Sequence, residues 1–140
     1  RCYLFKKRSV MGNSRFVLAI NGILMISLGG AFWFYPEFFS KLMFPNILDN
    51  DSAMNVAIAL RKNMGAGCAF IGVIMFTCQS SPKFVAQRLL FSSAFGFFMM
   101  VVALFSVRVS NEAQVPFSII IFFSILGLVS FYVASRKYQS

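Results

Sequence analysis

Leu60-Arg61-Lys62-Asn63-Met64-Gly65-Ala66-Gly67-Cys68-Ala69-Phe70-Ile71-Gly72-Val73-Ile74-Met75-Phe76-Thr77-Cys78 sets two adjacent cations and an amide at the head of a long uncharged run. A helix entering hydrocarbon from a charged rim has this form, because apolar side chains are at home in lipid while charge is held where water or headgroups reach it. Of the 140 residues, 59% are hydrophobic and 12% charged, against about a quarter charged in soluble domains. Nineteen Phe and eight Met exceed what a soluble core of this size holds, whereas a lipid-facing helix can be apolar all round.

Four charge-free windows, Phe16 to Pro36, Asn63 to Pro82, Leu89 to Val107 and Ala113 to Ser135, run 21, 20, 19 and 23 residues. About 20 residues at 1.5 Å rise cross a bilayer core of ~30 Å. The expectation is an all-α membrane protein, a single domain over 1-140 with four transmembrane helices at about 16-35, 53-79, 83-107 and 115-135 in an antiparallel bundle. The runs lack the alternation and ten-residue spacing of barrel strands.

Pro36 should end the first helix. After it, Phe38, Phe39, Leu42 and Met43 recur at helical spacing with Glu37, Ser40 and Lys41 away from them, which predicts a short interfacial helix over about 37-44. Pro45 should close it. Asp51 or Ser52 suits an N-cap for the second transmembrane helix, and Pro82 and Pro116 suit the starts of the third and fourth.

Arg1, Lys6, Lys7, Arg8 and Arg15 form a basic arm without an acid. Beside a membrane helix such an arm reads as a topology determinant or a binder of anionic lipid rather than of nucleic acid. A start at Arg1 rather than Met is consistent with a processed or a truncated form, removal of a targeting peptide being one route to it. With alternating helices, the N-terminus, the Lys83–Arg88 region and the C-terminal Arg136 and Lys137 share one side. All four acids, Glu37, Asp49, Asp51 and Glu112, fall on the other. Positive charge stays on the side from which insertion occurs, so both termini are expected to face cytoplasm, mitochondrial matrix or stroma.

Catalytic groups are scarce. The chain has no histidine, the commonest metal and haem ligand and neutral-pH proton carrier. No acid lies within a membrane window, so a carboxylate-driven ion pathway has no obvious carrier. Cys68 and Cys78, ten residues apart on one helix, stand ~15 Å apart and cannot bridge. Serines without a His or Asp partner in the windows read as helix-helix hydrogen bonders. No enzyme activity is expected, no cofactor is required, and a pigment-bearing setting would leave few pigments with ligands; bound lipid is expected.

The small residues read as packing surfaces. Gly22 and Gly29 lie seven apart on the first helix; Gly65, Cys68, Ala69 and Gly72 form a matching face on the second. Ser92, Ser93 and Gly96 mark the third helix, and Ser124, Gly127 and Ser130 the fourth. Close backbone approach at such residues supplies contact where lipid supplies no hydrophobic drive. The large Phe and Met side chains are then left to lipid or a partner.

Arg61, Lys62, Asn63 and Arg15 are the candidate binding groups. Counted back from Cys78, a ~30 Å core ends near residue 59, placing Arg61 and Lys62 a few ångströms inside the rim. Snorkelling to lipid headgroups would satisfy both. Alternatively one cation turns into the bundle, with Asn63, and holds a lipid phosphate, an anionic ligand or a carboxylate such as Asp49, Asp51 or Glu112. Adjacent residues point ~100° apart, so the two cannot face the same way.

Asn21-Gly22, Pro36 and the Arg-x-x-x-Gly-x-Gly of Arg61, Gly65 and Gly67 give the chain a resemblance to small four-helix DoxX-like membrane proteins. Ala69 and Phe70 stand where members of that group often carry an acid. The resemblance implies an architecture more than an activity. The expected function is an accessory or scaffold subunit of a larger membrane complex, respiratory or photosynthetic, in the mitochondrial inner membrane or thylakoid. Its partners would be membrane lipids, anionic lipid included, and other membrane subunits, with no nucleic acid. The competing expectation is a small transporter or ligand-binding membrane protein using Arg61 and Asn63.

Overall fold

The computed structural model describes residues 14–45, 51–110 and 113–136. The basic arm before Ser14, Asp49, Glu112 and Lys137 lie outside the described residues. The described chain is helical: α1 (Ser14–Phe34), α2 (Pro36–Met43), α3 (Asp51–Thr77), α4 (Lys83–Val109) and α5 (Phe117–Ser135), with a short 3-10 turn, Cys78–Ser80, between α3 and α4. α1, α3 with its 3-10 extension, α4 and α5 are each long and apolar enough to cross a membrane.

Prolines punctuate the helices as their chemistry requires. Pro36 is the first residue of α2, where a missing N–H costs nothing. Pro82 and Pro116 precede α4 and α5, and the Pro82 carbonyl accepts from the amides of Val85 and Ala86. Asp51 and Ser52 stand in the first turn of α3, where a negative charge favours the dipole.

Two helix pairs make the bundle. α1 packs chiefly on α3, and α4 on α5. On the first pair, Gly22 meets the backbone of Gly72 and Phe76, and Gly29 meets that of Gly65 and Ala69. A Cβ placed on Gly29 would stand 2.6 Å from both the Ala69 nitrogen and the Gly65 oxygen, and one on Gly65 would stand 2.7 Å from the Gly29 oxygen. The backbones touch, and only hydrogen side chains permit it.

The second pair is joined by rings instead. Phe97 lies 6.1 Å from Phe123 and Phe91 5.8 Å from Phe131, centroid to centroid. Gly127 receives the Phe98 ring. Gln87 donates to the Ala134 carbonyl at 2.5 Å and the Arg136 carbonyl at 3.1 Å, closing the last turn of α5; at the other end Arg108 donates to the Val115 carbonyl and lies over the Phe117 ring.

The pairs meet around Val17, Leu18, Met25, Met75, Leu90, Phe97, Phe123 and Leu126. One polar bond crosses this core: the Asn21 amide donates to the Ser130 hydroxyl at 2.7 Å, with Asn21 1% exposed and Ser130 fully buried. Such a bond between helices in lipid contributes about 0.6 kcal/mol on average and fixes which faces of α1 and α5 meet.

Three expectations about faces are corrected. Ser92 and Gly96 are exposed, and nothing stands within 4 Å of a Cβ built on Gly96. The buried face of α4 is Ala86, Leu90, Ala94 and Phe97. Large side chains are not all left to the outside, since Phe32, Phe97, Phe123, Met25, Met43 and Met75 are core residues. On α2, Ser40 belongs to the covered face with Pro36 and Met43, while Phe38 and Leu42 are exposed.

Candidate functional site

The buried residues of α3 are Arg61, Gly65, Cys68, Gly72 and Met75. Their spacing, four-three-four-three, is one continuous face of a helix. Arg61 therefore occupies the end position of the stripe whose glycines hold α1, and the same geometry that brings Gly65 against Gly29 turns the guanidinium inward. It is 5% exposed. Arg61 is thus turned inward in this structure rather than outward to the rim.

Its surroundings come from three elements. α1 supplies Phe32, whose ring centroid lies 5.6 Å from the guanidinium carbon. α3 supplies Met64, with Sδ 4.0 Å from Nη1. α2 lies across the top, and Met43 presents its sulfur to Nη2. Met43 is itself held from behind: its carbonyl accepts from the Gln114 amide at 2.8 Å, and its side chain packs with Ala113, Val115 and Ile120. Phe39 of α2 stacks edge-on against Phe32 at 4.8 Å, so the cover over Arg61 is made of rings and thioethers.

Among the described residues, no carboxylate is bonded to Arg61. Asp51, the acid in the first turn of α3, is exposed and ten residues away, ~15 Å along the axis. One turn before Met43 on α2, Ser40 is 1% exposed, and its hydroxyl oxygen has no hydrogen-bond partner. Among the described residues, two buried donors, Ser40 on α2 and the fully charged Arg61 on α3, thus lack an oxygen acceptor.

The remaining candidates are not gathered with Arg61. Lys62 is exposed, as the ~100° step predicts; Asn63, expected to turn inward with the cation, is exposed as well. Lys62 lines an open cleft of about 520 Å³ with Trp33, Phe34, Tyr35, Pro36, Glu37, Phe38 and Lys41. Within it Lys41 and Glu37 stand 4.0 Å apart. Arg15 lies at the far end of α1, where its Nε donates to the Ser81 carbonyl at 2.9 Å and ties α1 to the turn before α4. Gly22, Gly29, Gly65 and Gly72 sit at the α1–α3 contact with Ala69 beside them, and Gly127 at α4–α5. Cys68 is buried and Cys78 half-buried, and both are free.

Ser40 is the residue that sequence reasoning missed. Its signal was available: Pro36, Ser40 and Met43 share a face at four-three spacing, but Phe38 and Leu42 drew the apolar side of α2 elsewhere. No family model, curated protein or solved structure matches the chain.

Proposed function

We propose that the chain is a non-catalytic integral membrane protein serving as an accessory or scaffold subunit of a larger membrane complex. Its four long helices run antiparallel, α2 lies in the interface, and both termini face the cytoplasmic, matrix or stromal side. The observation that carries this reading is the outward surface of α4. Phe95, Met99, Val102 and Val109 are each more than half exposed and fall on one face of the helix, and only 17% of the most apolar window of α4 is buried, against 39% in α1 and α5. A helix that gives so little of itself to its own bundle has its side chains free for another subunit or for lipid.

Mild-detergent extraction and native electrophoresis distinguish the two. An accessory subunit migrates within an assembly far larger than its own 15.7 kDa, and dissociates from it when Met99 and Val102 are both replaced by Ala. Migration as a monomer or small homo-oligomer from the native membrane contradicts the reading.

A second reading, a ligand-binding or transporting membrane protein of the DoxX-like kind, is favoured by the buried Arg61. A guanidinium stays charged at any accessible pH, and a buried charge without an anion is costly. Placing one at the end of a packing stripe is explained if something negative comes to it.

A further inference from the structure

We propose that Arg61 and Ser40 form a phosphate-binding site between α2 and α3, a proposal that rests on the ligand-binding reading and is independent of assembly into a complex. Arg61 is 5% exposed and, among the described residues, its guanidinium meets only the sulfurs of Met43 and Met64 and the Phe32 ring. Thioethers are weak acceptors and a ring face offers no oxygen. Ser40, 1% exposed, has a hydroxyl with no partner. It is three residues before Met43 on the covered face of the helix that lies on Arg61.

A guanidinium fork and one hydroxyl are a donor set for an oxyanion. The fork matches two oxygens of a phosphate or carboxylate, and the hydroxyl serves a third. A carboxylate, with about four lone-pair sites, could also take these three donors; the surroundings are what favour phosphate. Trp33 and Tyr35 are the ring types that settle at headgroup level, and they line a cleft on the flank of α2 that also carries Lys41 and Lys62. Lys62 and Trp33 are the chain neighbours of Arg61 and Phe32, so the cleft adjoins the buried pair. With Lys41 set 4.0 Å from Glu37, the cleft carries one net positive charge, that of Lys62, which raises the local concentration of an anion. The phosphate is that of a lipid headgroup or of a soluble phosphoester.

Trp33, the chain's sole tryptophan, lines the cleft and reports occupancy through its emission. The purified protein, delipidated in a phosphate-free maltoside detergent, is titrated with inorganic phosphate, with glycerol phosphate and, as a carboxylate, with oleate; a parallel series adds phosphatidic acid to the micelles. A saturable response to either soluble phosphate, or to phosphatidic acid alone, is expected and identifies the source. Arg61→Met should weaken it roughly tenfold to a hundredfold and Ser40→Ala about fivefold, as loss of charged and neutral hydrogen bonds respectively. Arg88→Gln, at the opposite end of the bundle, should leave it unchanged.

Thermal unfolding guards against misfolding. Without phosphate, Arg61→Met should match or exceed the wild type, because a charge without an anion is being replaced by an apolar chain of similar volume. With phosphate, the wild type rises and Arg61→Met does not. A response to oleate alone overturns the phosphate assignment and leaves the ligand-binding reading standing. No response to any of the four, or an equal response in Arg61→Met, overturns both. Destabilisation of Arg61→Met in the absence of phosphate shows an internal partner for the guanidinium and overturns the proposal.

Discussion

Gly29→Val should unfold the α1–α3 pair, with a loss of about 3 kcal/mol or more in detergent or bicelle unfolding titrations. Overpacking in a core ordinarily costs ~1–3 kcal/mol because side chains can give way; here they cannot. A Cβ on Gly29 would meet the backbone nitrogen of Ala69 and the backbone oxygen of Gly65, both at 2.6 Å, so only separation of the two helices relieves it. Gly65→Val should behave alike, its Cβ meeting the Gly29 oxygen at 2.7 Å. Gly30 and Gly67 supply the contrast, with nothing within 4 Å of a Cβ at either position. Gly30→Ala and Gly67→Ala should be neutral or up to ~1 kcal/mol stabilising, since alanine loses less backbone entropy in a helix. Equal losses at Gly29 and Gly30 would show that the helices are not in contact through this face.

The second large effect is expected at Phe97→Ala, at about 3 kcal/mol. Phe97 is a buried ring of α4, set 6.1 Å from Phe123 of α5 and beside Gly127. Truncating a core Phe in a soluble protein costs ~3–5 kcal/mol as lost transfer energy plus cavity. In lipid the transfer part is small, because the separated helices bury the ring in hydrocarbon as well. What remains is the lost ring-ring and ring-backbone contact, hence the low end of that range. Phe95→Ala, on the exposed side of the same helix, should change stability by less than ~0.5 kcal/mol. Unfolding titrations of the two variants side by side give the comparison, and a Phe95→Ala loss as large as that of Phe97→Ala would contradict the assignment of faces.

Legibility in the sequence followed chemistry unevenly. The four long helices were legible because an uncharged run of some twenty residues has few other uses, and the α1–α3 contact because seven-residue glycine spacing occurs on both helices. The facing surface of α4 was not. In a helix that is apolar on every side, periodicity carries no contrast between core and lipid, so Ser92 and Gly96 stand out by their size while the buried Ala86, Leu90 and Ala94 do not.

Arg61 was legible in one respect and misjudged in another. Its depth, close to the rim, favours snorkelling, and depth depends on bilayer thickness alone. Its direction depends on register, and Arg61 is four residues before Gly65 on the stripe that meets α1. Direction prevailed because Gly65 is fixed by backbone contact, which leaves Arg61 no freedom to rotate outward without breaking the pair. Lys62, one residue on, is exposed by the same logic.

The inward placement of Arg61 beneath α2 is the central claim, and accessibility tests it most directly. On a background with Cys2, Cys68 and Cys78 replaced by Ser or Ala, single cysteines are placed at Met43 and Lys62 and treated with a membrane-impermeant maleimide in intact vesicles. Lys62→Cys, in the open cleft, is expected to label rapidly. Met43→Cys, packed between Arg61 and Val115, is expected to label only after denaturation. Labelling of Met43→Cys at the rate of Lys62→Cys would mean that α2 does not cover the guanidinium, and the account of this site would fail.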